Sequence, residues 1–258
     1  MNVRLRYLDP AGNITAVVLT PVPPALRPAL SRAIMAEGRA EQVGFAAVPQ
    51  LGGMCRLEMM GGEFCGNAVR SYGCLWAMEH RLGKKNLPVE ISGAVKPVPV
   101  MADPDGAQSY ADMPLPLGMN WLTVEGRRYP LILCQGICHL LALGQKPEHA
   151  FLEAARSQLN ALEQEAWGIM FLEEQRLVPA VYVKSTDSLV WESSCGSGSV
   201  AAAWYLAGEN PAQQTFRFQE PGGEIHVSVQ RENGTISACF MGGAVGVGPE
   251  EEFHWTEA

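Results

Sequence analysis

Two short stretches carry residue types that could do chemistry. They are Gly62-Glu63-Phe64-Cys65-Gly66-Asn67-Ala68 and Trp191-Glu192-Ser193-Ser194-Cys195-Gly196-Ser197-Gly198. Each sets a thiol just before a Cys-Gly-(Asn/Ser) turn, and each runs on into a segment with helical patterning. At a helix N-terminus a thiolate is favoured by the helix dipole and by backbone N–H groups that lack a partner inside the helix. The same N–H groups can hold a carboxylate. Two thiols on opposite sides of one carbon could invert it. One, as thiolate, removes the α-proton, and the other, as thiol, delivers a proton to the opposite face. The hard step is a carbanion beside a carboxylate, and helix N-termini aimed at that carboxylate would stabilise the developing charge. No electron-sink cofactor is then required. The competing reading of any one cysteine is a small buried residue; matched turns at two helix starts favour catalysis for both Cys65 and Cys195.

The elements that must position these thiols follow from the patterning. Residues 2–8 alternate with strand period, and 14–20 form a second, β-branched strand. Residues 25–37 predict a helix with Leu26, Leu30, Ile34 and Met35 on one face, Pro28 in its first turn and Gly38 as its stop. Strands are expected over 41–48 and 55–59, then a helix over 66–82 with Val69, Tyr72, Leu75, Trp76 and Met78 as its apolar set. Strands follow near 89–91 and 95–101. Residues 103–118, with Pro104, Pro114 and Pro116, read as a seam. Beyond it lie a strand pair over 129–143, an amphipathic helix over 147–165, and strands over 168–172 and 180–183. A helix over 196–207, a strand over 216–218, the turn Pro221-Gly222-Gly223 and a strand over 225–229 complete the second half.

The halves read as copies. Gly12 and Gly136, Glu41 and Glu165, and Gly44 and Gly168 are each 124 positions apart; Cys65 and Cys195, and Gly93 and Gly223, are each 130 apart. One six-residue insertion reconciles the offsets. A duplicated domain with pseudo-twofold symmetry would bring the two cysteines face to face across a cleft. The expected domains are 1–116 with 246–258, and 117–245, the last segment crossing back to the first half with Glu250-Glu251-Glu252 as a solvated acidic end.

Composition bounds the function. The chain has 258 residues, 47% of them hydrophobic, enough for one large domain or two of ordinary size. The net charge of −8, with no basic block, argues against a nucleic-acid surface. Seven cysteines, an odd number without CxxC or zinc-like spacing, point to a reducing compartment and no metal site. Cys134 and Cys138 read as core residues. The N-terminus lacks a signal-like apolar run, and no stretch approaches the roughly 20 apolar residues that span a bilayer. The protein is expected to be cytoplasmic, with no membrane partner and a homodimer left open.

With these residues in view, the chain resembles the cofactor-independent amino-acid racemases and epimerases of the diaminopimelate epimerase fold. The matching residues are Asn13, Gln42, Cys65-Gly66-Asn67, Cys195-Gly196-Ser197-Gly198 and Pro221-Gly222-Gly223, and the resemblance covers almost the whole chain. Within that fold it resembles the histidine racemases of opine-type (staphylopine-like) metallophore biosynthesis. That likeness lies in Pro10-x-Gly12-Asn13, Glu41-Gln42-Val43-Gly44-Phe45, both cysteine stretches and Gln219-x-Pro221-Gly222-Gly223. The resemblance implies an α+β fold of two pseudo-symmetric domains, each a curved, mostly antiparallel sheet or barrel around a central helix, with the site in the cleft. It implies no cofactor and a free amino acid, histidine in the first place, as substrate.

Departures narrow the substrate. Diaminopimelate epimerases typically carry Glu-Arg-Gly before the second cysteine, with an arginine for the distal carboxylate. The segment Thr186–Glu192 has none. Proline racemases usually have Cys-Gly-His at the first site, where this chain has Cys65-Gly66-Asn67. Both cysteines are present, which weakens an isomerase of the phenazine-biosynthesis branch. Diaminopimelate epimerase, another racemase of this fold, and a non-catalytic amino-acid-binding or thiol-redox protein remain the alternatives. By the resemblance, Cys65 and Cys195 are the acid–base pair, and the backbone N–H groups of Gly66, Asn67, Gly196 and Ser197 bind the α-carboxylate. Asn13 and Gln42 line the pocket, and Glu41 reads a basic side chain such as imidazole or, alternatively, is a solvated strand-end carboxylate. Glu192, shifted in register from the family's glutamate, holds the α-ammonium. His139, in Gly136-Ile137-Cys138-His139 where the family has Gly-Asn-Pro-His, is either a pocket group or a satisfied core histidine.

Overall fold

The computed structural model describes residues 1–208 and 213–256. The chain divides into two compact units, Met1–Asp112 with Gly242–Ala258, and Met113–Met241. In the first unit the elements run β1 (Asn2–Asp9), β2 (Thr15–Val18), α1 (Arg27–Met35), β3 (Gln42–Ala47), β4 (Cys55–Met59), α2 (Gly66–Glu79), β5 (Lys85–Ile91), β6 (Val98–Asp103) and β7 (Gln108–Met113). The second holds β8 (Gly118–Val124), β9 (Arg127–Leu133), β10 (Ile137–Leu143), α3 (His149–Asn160), β11 (Ala166–Glu173), β12 (Arg176–Val183), β13 (Ser188–Trp191), α4 (Gly196–Ala207), β14 (Gln214–Glu220), β15 (Gly223–Glu232) and β16 (Thr235–Ala244). The chain ends with β17 (Gly246–Val247) and β18 (Glu251–His254), both paired antiparallel to β1. This is an α+β architecture.

The same pairing sequence is laid down in each unit. In the first, β1–β2 is antiparallel, β2–β3 parallel across α1, β3–β4 antiparallel, β4–β5 parallel across α2, and β5–β6 antiparallel. In the second, β9–β10 is antiparallel, β10–β11 parallel across α3, β11–β12 antiparallel, β12–β14 parallel across α4, and β14–β15 antiparallel. Helices sit where a parallel step needs a crossover. The turn glycines Gly12 (φ 85°) and Gly136 (φ 79°) both lie in the left-handed region, each just before the strand that makes its unit's first parallel pair.

Helices α1 and α3 are each held by one apolar face. α1 packs Leu30 and Ile34 onto Val3, Leu5, Val18 and Phe45. α3 packs Phe151, Leu152, Ala155 and Leu159 onto Leu140, Trp167, Ile169 and Phe171, with Cys138 in the same core. The two helices that follow the cysteines are instead buried on all sides in their first turns: α2 from Gly66 to Leu75, α4 from Gly198 to Ala203. That burial requires small residues. A Cβ on Gly73 would lie 2.8 Å from Val100 Cγ1, and one on Gly198 would lie 2.1 Å from Met170 Sδ.

Several expectations change. The expected apolar set of α2 is too narrow, because a helix surrounded by strands has no solvent face; Met78, at its end, is exposed. The long helices stop early, α2 at Glu79 and α3 at Asn160. The seam contains a strand, β7, because Pro104 and Pro114 flank it rather than interrupt its pairing with β6. The acidic end is not simply solvated: Glu251 makes a paired hydrogen bond to Arg39 (2.7 and 2.8 Å) and Glu250 meets Arg4 at 3.1 Å, fastening β18. Glu257 and Ala258, the tip of that segment, lie outside the described residues.

One buried carboxylate makes the first unit acid-sensitive. Glu90 on β5 accepts the N–H groups of Gln50, Leu51 and Gly53 at 2.6–2.9 Å and meets Arg56 at 3.1 Å. Burial works against its charge, but these donors win and hold its carboxyl down at about 2. Its stabilising contribution is present above the ordinary glutamate range, about 4, and is lost as pH falls toward the folded value. Glu90→Gln is expected to melt at a lower temperature at neutral pH and to show a shallower loss of stability between about pH 4 and 2. Thermal melts of both proteins across that range check this.

Candidate active site

In the first unit the predicted site residues join into one hydrogen-bonded chain. Parallel pairing of β2 with β3 sets Thr15 opposite Gln42 and draws the turn before β2 alongside Glu41, whose N–H donates to Ile14 O at 2.9 Å. Asn13 Nδ2 donates to Glu41 Oε2 at 2.8 Å. Gln42 Nε2 lies within reach of Asn13 Oδ1 (2.8 Å), Thr15 Oγ1 (2.9 Å) and Cys65 Sγ (3.3 Å). Glu41 is exposed and Gln42 buried, so the chain runs from a solvent-facing carboxylate inward to the thiol.

Cys65 is the N-cap of α2, with extended backbone (φ −131°, ψ 112°), and its Sγ accepts from Ala68 N–H at 3.4 Å. Burial pushes its thiol up, while the N–H groups of Ala68 and Asn67 and the Gln42 amide pull it down. Asn67 itself is buried; its Oδ1 accepts from Arg70 Nε at 3.2 Å and its carbonyl accepts from Ser71 Oγ at 2.6 Å. The fully buried Arg70 also donates Nη1 to Gly243 O and Ala244 O, each at 3.2 Å. Burial lowers its guanidinium to about 10, and the charge of Cys65 acts in the opposite sense.

In the second unit Cys195 caps α4 with nearly the same backbone (φ −127°, ψ 101°), but without a capping hydrogen bond from its side chain. Its Sγ lies 3.7 Å from Ser197 Oγ, and Ser197 Oγ lies 2.9 Å from His139 Nε2. His139 is fully buried, and burial pulls it down to about 4, so its ring is neutral at ordinary pH. His139 thus reaches the thiol only through Ser197. Glu192 donates its backbone N–H to Pro179 O at 3.1 Å, and its charge acts on Cys195. Gly66 and Gly196 are the first residues of their helices. Among the described residues no three His, Cys, Asp or Glu side chains cluster as a metal site.

A family model described as the histidine racemase CntK N-terminal domain matches residues 3–252. The chain belongs to this histidine racemase family. It is 35% identical over 214 residues to a histidine racemase of Fusobacterium nucleatum subsp. nucleatum, covering 77% of this chain and 78% of that one. It is 29% identical over 238 residues to the histidine racemase of Staphylococcus aureus, covering 86% and 87%. A probable proline racemase from Agrobacterium radiobacter K84, with bound carbonate, shares the fold at a TM-score of 0.69 and 14% identity, over 98% of this chain and 93% of that one. The protein is therefore an isomerase, an amino-acid racemase.

Two groups close to the thiols of this racemase were not anticipated. Arg70 sits in the helix that follows Cys65, and Glu220 immediately precedes the Pro221-Gly222-Gly223 turn. Glu220 accepts Cys195 N–H at Oε2 (2.7 Å) and the Ser199 hydroxyl at Oε1, and burial pushes its carboxyl up to about 8. Arg70 is the only charged residue over 66–78 of an otherwise apolar or small-residue helix, and that contrast was the available signal; Glu220 lies in a strand that also carries Arg217 and Gln219, so nothing in its segment marked it. Gly168 matters as well: a Cβ there would lie 2.6 Å from His139 Nδ1 and 2.8 Å from Met170 Cε. Gly168→Ala is expected to cost about 1–3 kcal/mol by overpacking and, by displacing the His139 ring from Ser197, to slow turnover. A thermal melt with a racemisation assay checks this; wild-type values in both would mean that the ring has room to move.

Proposed function

We propose that this racemase interconverts L- and D-histidine by a two-base mechanism that needs no pyridoxal cofactor, with Cys65 and Cys195 as the acid–base pair. The observation that carries the proposal is the chain from Glu41 through Asn13 and Gln42 to the Cys65 thiol. It ties a carboxylate suited to an imidazole N–H to a thiol capping a helix. The names of the relatives support histidine as substrate.

Inversion needs one thiol on each face of Cα, and each unit carries one at a helix start. In one direction the Cys65 thiolate takes Hα, the electron pair delocalises onto the α-carboxylate, and the Cys195 thiol donates its proton to the opposite face. The enzyme is left with Cys65 as thiol and Cys195 as thiolate, the state that runs the reverse reaction. N–H groups at Gly66, Asn67, Gly196 and Ser197 would hold the carboxylate as its charge grows. Glu192 would take the α-ammonium. The seven thiols suit a cytoplasmic setting, and D-histidine would feed assembly of an opine-type metallophore.

In deuterated water, histidine is expected to acquire deuterium at Cα as it racemises. Cys65→Ser and Cys195→Ser should each lose about 10²-fold or more in turnover. Glu41→Gln should raise KM for histidine by about tenfold, the scale of one hydrogen bond to a charged group. Chiral chromatography with mass detection, over histidine, proline and diaminopimelate, reads all three. Racemisation at wild-type rate in either serine variant, or a preference for diaminopimelate, would overturn the proposal.

A further inference from the structure

The two capping thiols share a backbone conformation but have chemically opposite surroundings. Cys65 Sγ faces donors: Ala68 N–H at 3.4 Å and Gln42 Nε2 at 3.3 Å, with the buried Arg70 guanidinium just beyond, fixed to Asn67. The acid that acts on it, Glu63, is solvent-exposed. Around Arg70 stand Tyr110, Cys74 and Asp9. Cys195 faces acids. The buried Glu220 grips the backbone N–H of Cys195 itself at 2.7 Å, and Glu192 acts from the preceding strand end. The Gly198 N–H and the Ser197 hydroxyl, which also act on it, carry no charge, and His139 behind Ser197 is neutral.

We infer that the buried carboxyl of Glu220 is a positioning group that keeps Cys195 protonated, so that in the free enzyme Cys65 gives up its proton first and serves as the resting base. The inference rests on the two-thiol reading above. Glu220 and Cys195 are two acids in one buried place, where ionisation of the first opposes that of the second. The carboxyl ionises first, because two hydrogen bonds, from Cys195 N–H and Ser199 Oγ, await its charge. The thiol then faces a fixed negative charge in a medium that screens it poorly. Burial raises both thiols, and Cys195 is pushed well above its ordinary range by burial together with Glu192 and Glu220. The resting enzyme therefore accepts the enantiomer whose Hα faces Cys65. After that turnover Cys195 holds the thiolate, and proton exchange with water must restore the resting state.

The test is alkylation of the full-length protein by iodoacetamide across about pH 6–11, read separately at each cysteine by mass spectrometry. The pH midpoint is scored, because it is independent of steric access. In the wild type the Cys65 midpoint is expected to lie about one unit or more below that of Cys195. Glu220→Gln, of equal size and still able to accept from Cys195 N–H, should lower the Cys195 midpoint by about one unit and leave Cys65 unmoved. Equal or reversed midpoints in the wild type overturn the inference even if the variant does not fold. So does a Cys195 midpoint unmoved in a variant that melts like the wild type. Racemisation by the serine variants is assayed in parallel. If inversion persists without either thiol, the two-thiol reading has failed; if inversion needs both and the midpoints coincide, only the role of Glu220 has failed.

Discussion

The catalytic proposal depends on one backbone arrangement, an extended residue capping a helix whose first N–H groups have no carbonyl to meet. Burial alone would disable a thiol. Cys55, buried, and Cys134, half-buried, both without such donors, are pushed up to about 12, and Cys138 to about 11. Cys65 and Cys195 suffer the same desolvation but face N–H groups of their own helices, which act in the opposite sense. Holding the cap there requires the loop before it to be pinned. In the first unit Ser92 Oγ donates to Glu63 O at 2.9 Å, and a Cβ on Gly93 would lie 2.4 Å from Phe64 N. In the second, Gly222 N–H donates to Ser193 O at 2.8 Å. Positions 92 and 222, like 63 and 193, are 130 apart, so equivalent positions pin both caps, through a hydroxyl in one unit and a backbone N–H in the other.

The repeat carries the scaffold and leaves the chemistry free to diverge. Gly44 and Gly168 occupy matching central strands and both leave room for a side chain. In the first unit Leu57 fills it, and in the second His139 and Met170 do. The same division holds around the thiols. One helix places an arginine four residues after its glycine, where the other has Val200; the strand end opposite one cysteine supplies Glu220. A duplicated fold thus yields two thiols in non-equivalent surroundings. A racemase can use that, because its two half-reactions start from different enantiomers.

How much of this was legible in the sequence depends on how local each determinant is. The strand period of residues 2–8, β4 at Cys55–Met59 and the cysteine turns are set by neighbours in the chain, and their elements form where the pattern puts them. β7, β8, β13, β16, β17 and β18 were missed. β13 has only four residues, and β8 is largely exposed and lacks the alternation that marks a strand against a core. Helix ends were overrun because polar residues such as Glu163 and Glu165 continue a helical pattern after packing has ceased to support it. Within the site, Asn13, Glu41, Gln42 and Cys65 come together in the first unit, whereas the roles of Arg70 and Glu220 could not be read. What makes them matter is desolvation and contact with residues 25 to 174 positions away.

That desolvation also sets what the rest of each unit must supply. A fully buried guanidinium, one of whose terminal nitrogens (Nη2) has no hydrogen-bond partner among the described residues, opposes folding. So does a buried carboxyl at the start of the second cysteine helix. Neither group improves packing over an apolar residue of similar size, so stability alone does not account for them. The compensation lies in the helices that carry the thiols, which are enclosed by strands through their first turns rather than along one stripe. Small residues at Gly73 and Gly198 permit that enclosure, because a Cβ there would press on Val100 and on Met170. The close packing around each cysteine helix and the polar groups buried beside it therefore go together: the strands that enclose the helix starts are the same surroundings that desolvate Arg70 and Glu220.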